Sequence, residues 1–499
     1  MTKHLDIDTK AMRAKILDLA IQGKLTDQRE EDGNARDLLR EIQAEKEKLI
    51  KEKKIKKGKP LPEITEEEKP FEIPDSWEWG RLGDIVSKAI KRGKSPKYST
   101  TGDVLVFAQK CNTKPGRINL ELAKKLDLST LKKYSEEEFM LSGDIVINST
   151  GNGTMGRVGF FWDKDNPYNL KIVPDSHVTT IRVLHDLIDS QYIFYFLKKL
   201  QPELESSGDG STNQKELKAT IIASICIPLP PLAEQKRIAD KVSALFARLD
   251  AIDKAYEEYQ GLQQAMKSKL LDLAIQGKLT DQRVEDGNAR DLLKAIQTEK
   301  EKLIKEKLIK EKKIKKEKPL PEIEADEIPF EIPKNWMWAR WGTLSISIKY
   351  GYNTSAQKDG KIKMVRISDI QNNQVNWDSV PFCNIPKEEI AQYLLRKNDI
   401  LFARTGGTVG KSYLVSEVPE NVVYAGYLIR TRYSEKLSPQ YLKYFMESDL
   451  YWSQLKKGTT TTAQPNCNAK TLGKMVLPLP PLAEQKRIVA KLDELLPLL

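Results

Sequence analysis

Gly406-Gly407-Thr408-Val409-Gly410-Lys411-Ser412 comes nearest of any segment to carrying chemistry. A glycine-rich turn ending in Lys-Ser can stack backbone N–H groups and an ammonium around nucleotide phosphates. The first glycine of such a loop falls on Thr405, however, and the parallel turn Gly151–Gly156 has no Lys-Ser, so both segments read as structural turns. Asn166-Pro167-Tyr168 resembles the Asn-Pro-Pro-Tyr signature of adenine methyltransferases with one proline missing, and a surface turn accounts for it. No expected strand runs into a GxGxxG turn with a matching acidic residue, which leaves no cofactor site. Only His4, His177 and His185 are available, against a His-based zinc site. Glu and Lys scattered on lysine-rich helices make no nuclease centre. No catalytic and no metal-binding residue is assigned.

Side chains suited to polyanions are easier to find. Bases are read by Arg, Lys, Asn, Gln, Ser and Thr, while phosphates take any basic or small polar donor. In the first half the clusters are Lys91, Arg92, Lys94 and Lys97, then Lys110, Asn112, Lys114 and Arg117. Ser149 and Asn152 lie on the glycine turn, and Thr212, Asn213 and Gln214 precede the last strand. Corresponding places in the second half hold Tyr350, Tyr352 and Asn353, then Arg366, Arg404 with Thr405, and Thr459, Thr460 and Gln464. Each is also an ordinary surface residue, so the expectation attaches to the clusters. Trp77, Trp79, Trp336 and Trp338 open the two stretches and are read as packing residues.

These clusters sit within a repeat. ILDLAIQGKLTDQREEDGNARDLL at 16–39 returns at 270–293 with two of 24 positions changed, Ile16/Leu270 and Glu30/Val284. EKEKLIKEK, KPLPEI and FEIP recur behind it, and PLPPLAEQKRI appears at 228–238 and 478–488. Between the near-identical pieces lie two stretches, about 86–226 and 345–476, that share only a faint pattern. Gly143-Asp144-Ile145-Val146 is echoed by Asn398-Asp399-Ile400-Leu401 ahead of each glycine-rich turn. Near-identical surfaces can bind two copies of one partner about an approximate twofold axis. Divergent stretches in matching places can do one kind of job on two targets. Drift after a recent duplication would not spare some blocks and scramble others.

From Pro231 the pattern predicts one helix stopped by Gly277, about 70 Å long. Stepping alternately four and three gives Ile238, Val242, Leu245, Leu249, Ile252, Tyr256, Tyr259, Gln263, Met266, Leu270 and Leu273, a coiled-coil seam. Residue 499 aligns with 249 and residue 1 with 255, so the chain ends read as two halves of a second such helix. Met12, Ile16 and Leu19 are expected to continue the seam that Ile488, Leu492 and Leu495 begin, with Pro497 making that rod imperfect. The lysine-rich runs Lys46–Lys59 and Lys300–Lys318, punctuated by leucine and isoleucine, suggest amphipathic helix with a solvated face.

The 82 Lys and Arg against 71 Asp and Glu leave +11, which favours a polyanionic partner moderately. Four scattered cysteines without a CxxC pair suit a reduced compartment. No apolar run approaches the roughly 18 residues of a membrane span, and the N-terminus carries no signal-peptide core. A cytoplasmic protein is expected.

Two variable domains, each followed by LPPLAEQKRI and a long helix with IQGKL near its end, resemble the specificity subunit of type I restriction–modification systems. The resemblance covers essentially the whole chain. It implies an α+β fold: two mixed α/β target-recognition domains, held apart by a long antiparallel helical coiled coil with a pseudo-twofold circular repeat. The corresponding boundaries are 1–30 and 478–499 for the distal helix, 31–75 and 281–334 for the lysine-rich linkers, 76–227 and 335–477 for the recognition domains, and 228–280 for the central helix. The resemblance further implies a non-catalytic DNA-binding protein reading a bipartite, asymmetric site in double-stranded DNA, one half-site per domain. Two copies of a methyltransferase subunit would dock on it, and optionally two restriction–translocase subunits. S-adenosylmethionine, ATP and Mg would sit on those partners, and none in this chain. The duplicated Glu234, Gln235 and Arg237, with Glu484, Gln485 and Arg487, are the candidate partner contacts. Two rivals stay open: a self-contained DNA methyltransferase or nuclease, and a coiled-coil scaffold with two protein-binding domains.

Overall fold

The computed structural model describes residues 7–53, 55, 60–114, 117–151, 153–207, 216–311, 320–458 and 466–499. Contacts divide the chain into two compact units, one running to Tyr256 and the other beginning at Glu257. Each is built from the same parts.

In the first unit, strand β1 (Glu78–Arg81) leads into the domain and β10 (Cys226–Leu229) leads out, and the two pair antiparallel, Glu78 opposite Leu229 and Arg81 opposite Cys226. Between them β2 (Lys91–Arg92), β6 (Ile145–Asn148), β7 (Val158–Phe160) and β9 (Val178–Ile181) form one sheet in the order β2-β9-β6-β7. A second sheet holds β3 (Tyr98–Ser99), β4 (Val104–Phe107), β5 (Lys124–Leu126) and β8 (Lys171–Pro174) in the order β3-β5-β4-β8, with β4 and β8 parallel. Continuous apolar runs such as Val104-Leu105-Val106-Phe107, buried at every position, explain these strands. Helix Ser190–Ser206 packs on β7 and starts with Asp189 accepting the Tyr192 amide.

The second unit repeats this plan. β11 (Met337–Arg340) pairs with β21 (Val476–Leu479). β12 (Ser345–Tyr350), β17 (Ile400–Ala403), β18 (Ser412–Leu414) and β20 (Leu428–Tyr433) lie in the order β12-β20-β17-β18. β13 (Ile362–Val365), β16 (Phe382–Cys383) and β19 (Val422–Tyr424) lie in the order β16-β13-β19, with β13 and β19 parallel. A short hairpin, β14 (Ile370–Gln371) and β15 (Gln374–Val375), stands apart. The faint sequence echo becomes one device: after a left-handed residue (Gly143, φ 90°; Asn398, φ 69°), Asp144 and Asp399 are buried against Arg182, just after β9, and Arg432 of β20.

The entry strands are clamped identically. Arg81, 3% exposed, bonds the Glu68 carboxylate and the carbonyls of Pro62, Glu63 and Ser224. Arg340 repeats this with Glu327 and the carbonyls of Pro321, Glu322 and Lys474. Trp77 and Trp336 are buried, and Phe71 and Phe330 pack on Trp79 and Trp338, so all four tryptophans are packing residues.

The long helix spans Leu232–Ile275, and Gly277 follows it at φ 70°. A Cβ there would lie 2.4 Å from Pro333, and at Gly23, its twin at the end of helix Thr9–Ile21, 2.4 Å from Pro74. Glycine therefore serves both the left-handed stop and the close approach of the FEIP segment. Within the first unit, helix Thr9–Ile21 runs antiparallel to the long helix: Thr9 and Arg13 meet Asp253, and Arg13 stacks on Phe246. In the second, helix Leu482–Leu495 packs through Ile488 and Leu492 into the core that holds Leu271, Ala274 and Ile275.

The expected seam needs correction. Ile238, Val242 and Leu249 are buried, but Ile252, Tyr256, Tyr259 and Met266 are 36–53% exposed, as is Met12. At the helix ends the inward residues are Leu17, Ala20 and Ile21, or Leu271, Ala274 and Ile275, one position off the predicted seam. Burial there is set by the globular domain each helix end packs on, so the apolar stripe turns toward that core. In the first lysine run the helix ends at Lys51; in the second it spans residues to Glu311, and 312–319 lie outside the described residues. Lys46 donates to the carbonyls of Gly83 and Asp84, and Lys300 to that of Gly342. No helix among the described residues is long and apolar enough to cross a membrane.

Candidate nucleic-acid interface

Backbone pairing aligns the two domains residue by residue where their sequences do not align. The Gly93 amide donates to Val178 and the Gly351 amide to Leu428; the Ser149 amide donates to His177 and the Arg404 amide to Tyr427; the Leu217 amide donates to Ser149 and the Cys467 amide to Arg404. Isolated bridges join Thr150 to Glu216 and Thr405 to Asn466. Positions 92 and 350, 94 and 352, 149 and 404, 150 and 405, 177 and 427, and 216 and 466 are therefore equivalent. In each domain three segments converge: the end of β2 or β12, the glycine turn after β6 or β17, and the tight turn before β9 or β20.

One backbone frame carries opposite chemistry. In the first domain Arg92 comes from the edge strand and reaches Glu216 at 3.1 Å, while Ser149 is fully buried on Thr179. In the second domain the edge strand supplies Tyr350, and the arginine comes from the turn: the Arg404 guanidinium lies 4.7 Å above the Tyr350 ring. The Tyr350 hydroxyl accepts from the Ala469 amide, which fixes the ring beneath the cation. Arg404 Nε and Asn466 Oδ1 are buried without a partner among the described residues.

The other candidates divide by what already holds them. Lys91 and Lys94 converge on Glu138, at 3.3 and 2.7 Å. Burial opposes the charge on Glu138, yet hydrogen bonds from Lys94 and the Ser135 amide and the lysine charges hold its carboxyl at about 2. Behind them Lys88 is 8% exposed, and burial lowers its ammonium to about 8. Lys97 is tied to Asp127 at 2.8 Å, and Arg366 to Asp369 at 2.8 Å. Arg117 lies 3.4 Å from Asp250 on the long helix. Lys110, Lys114 and Asn353 are exposed. Tyr352 packs on Tyr393. Asn112 is completely buried, bonding Asn148 and the Arg157 carbonyl, so as a base contact it is withdrawn. Buried Ser149 likewise acts as a frame residue. Asn152, Thr212, Asn213, Gln214, Thr459, Thr460 and Gln464 lie outside the described residues.

Sequence reasoning missed His177, Glu216, Tyr427 and Asn466. The first and third follow dissimilar runs, Val173-Pro174-Asp175-Ser176 and Val423-Tyr424-Ala425-Gly426, and only strand register brings them beside the glycine turn. The phosphate-loop look-alike 406–412 joins two antiparallel strands, whereas a phosphate loop opens a helix. Asn166-Pro167-Tyr168 is a turn closed by Asn166 on the Leu170 carbonyl. Among the described residues no three His, Cys, Asp or Glu side chains are grouped to hold a metal ion.

The candidate partner contacts also need correction. Glu234 is 1% exposed and accepts from Trp77 Nε1 (2.9 Å), Gln28 (2.7 Å) and Thr26 (3.1 Å). Glu484 accepts from Trp336 (2.7 Å), Gln282 (2.6 Å) and Thr280 (3.3 Å). Gln235 and Gln485 are fully buried, bonding the Asp189 and Ser438 amides and the carbonyls of Pro230 and Pro480. Arg237 and Arg487 are paired with Asp32 and Asp286. The four buried side chains, Glu234, Gln235, Glu484 and Gln485, cannot be the first contacts of a docking subunit, while Arg237 and Arg487 remain partly exposed but are engaged by their own chain. Their identity in both copies reflects one internal joint built twice.

A family model described as the type I restriction modification DNA specificity domain matches residues 74–258 and 348–497. The type I restriction enzyme EcoAI specificity subunit of Escherichia coli is 30% identical, covering 98% of this chain and 89% of that protein. The EcoEI specificity subunit of the same organism is 27% identical over 97% of this chain and 88% of its own. A solved chain described under complex assembly and conformational transition of the type I R-M system superposes with TM-score 0.55 at 18% identity, covering 85% of this chain and 91% of that one, which shows a shared fold.

Proposed function

The chain belongs to the type I restriction–modification DNA specificity family, and from that premise we propose that its two domains read two different half-sites through the equivalent surfaces around Arg92 and Arg404. It is the non-catalytic specificity component of such a system. The observation that carries the half-site reading is the interchange at positions 92/350 and 149/404. The backbone frame is kept while the guanidinium moves from the edge strand to the turn. An arginine can bond the O6 and N7 of guanine together in the major groove, and where it is anchored decides which base pair it meets. Lys91, Lys94, Lys110 and Lys114 would supply phosphate contacts around the first site, with Arg366 beside the second.

Two copies of a methyltransferase subunit are the expected partners, with restriction–translocase subunits optional, and S-adenosylmethionine, ATP and Mg belong to those partners. With Glu234, Gln235, Glu484 and Gln485 enclosed, the docking surface falls on residues both exposed and duplicated: Asp27, Arg29, Glu31, Arg36 and Asp37, and Asp281, Arg283, Glu285, Arg290 and Asp291. Nothing internal requires all these identities, so a shared partner explains them. A cytoplasmic location accords with this reading. Binding of the purified chain to a randomised duplex library at several salt concentrations tests the proposal: two separate conserved blocks and a salt-dependent affinity are expected. A single block, or salt-insensitive retention of any duplex, would contradict it.

A further inference from the structure

Each candidate surface also carries a residue that belongs to neither cluster. His177 and Tyr427 occupy the same place in the tight turn before β9 and β20, and the main-chain carbonyl of each accepts from residue 149 or 404. In the first domain the buried Asp175 carboxylate takes the His177 amide at 2.8 Å, so the turn is braced from below. Both side chains point outward: His177 is exposed and Tyr427 is 63% exposed, among the largest apolar exposures in the molecule. Thr150 Oγ lies 2.6 Å from His177 Nδ1, which holds the ring; Nε2 has no partner among the described residues. The Tyr427 hydroxyl has no partner among the described residues.

We propose that His177 and Tyr427 are specificity-determining residues, each reading a base edge in the half-site of its own domain, with Thr150 as a positioning residue for the imidazole. This rests on the half-site reading above and names two of its contacts. A base edge fits better than a phosphate. The surrounding lysines and arginines already provide charge for phosphates; a phenol and an imidazole add directional hydrogen bonds and a flat face. Both sit on equivalent backbone, His177 bonded to Ser149 and Tyr427 to Arg404, where a changed side chain changes the reading without disturbing the frame. Two fixed turns with interchangeable tips are what two different targets require.

The test is selection from a randomised duplex library by the full chain, comparing wild type with His177→Ala, Tyr427→Ala and Thr150→Val. Both tips are solvent-exposed, so these variants should keep their fold, which circular dichroism checks. His177→Ala should lower the preference at one or two positions of one block by about 5- to 150-fold and leave the other block unchanged. Tyr427→Ala should do the reverse. Thr150→Val should weaken the same positions as His177→Ala, and Thr150→Ser should restore them. An unchanged preference in both alanine variants would overturn the proposal, as would a uniform loss over all sequences, which marks a phosphate contact. Failure of the wild-type chain to select any sequence would instead overturn the half-site reading beneath it.

Discussion

Replacing Glu234 by glutamine probes the duplicated internal joint. The carboxylate accepts from three donors, and only Trp77 Nε1 is enclosed; Gln28 and Thr26 reach solvent and can turn to water. A hydrogen bond to a charged group contributes about 1.5–3 kcal/mol, and an orphaned buried donor costs about 1–3 kcal/mol. Against this, burial pushes the Glu234 carboxyl above its usual 4.5, more than the hydrogen bonds from Trp77, Gln28 and Thr26 pull it down, so removing the charge returns part of the loss. A net destabilisation of about 2 kcal/mol follows. Glu484→Gln should cost the same within about 0.5 kcal/mol, and the double variant should be additive because the two joints lie in separate units. A raised folded pKa means a contribution that is complete below 4.5 and lost as pH rises through the folded value. The wild type's advantage over either variant should therefore widen on acidification. Urea unfolding, with hydrogen exchange to assign each loss to its unit, measures all of this. A neutral Glu234→Gln, or twins differing by more than about 1 kcal/mol, would refute the reasoning.

Further consequences follow from the interface. Glu138→Gln frees Lys91 and Lys94; if both reach DNA, the slope of log affinity against log salt should steepen by up to about 1.8, and salt titration of duplex binding checks it. Arg92→Ala should relax one half-site and Arg404→Ala the other, by about 1–3 kcal/mol at one base pair, read from selected sequences. Asp144→Ala strands the nearly buried Arg182 and should destabilise the first unit by about 3–5 kcal/mol in urea unfolding, with Asp399→Ala acting on the second through Arg432.

Much of the architecture could be read from the chain because the duplication marks it. The repeated Trp77/Trp336, Gly23/Gly277 and PLPP segments are the residues that clamp each domain, and the Asp144/Asp399 echo is a buried ion pair in both. Periodicity misled along the middle of the long helix: Tyr256 and Met266 keep a heptad spacing, but spacing does not say what lies opposite. Identity misled at Glu234 and Gln235, where an unchanged residue is equally well explained by an internal joint. The recognition surface was legible only in part. Arg92 and Arg404 stood out as basic residues, but their relation depends on pairing through β9 and β20, tens of residues away. His177 and Tyr427 carry no local signal at all.

On the proposed reading each domain reads its half-site independently. Each stretch enters and leaves through a closed two-strand clasp, Arg81 opposite Cys226 and Arg340 opposite Val476. Exchanging residues 86–226 for the corresponding stretch of a relative with a different target, then mapping methylated adenines in cells that express the complex, tests it most directly. One half-site should be replaced by the relative's and the other retained. Loss or alteration of both half-sites in a folded chimera would contradict it.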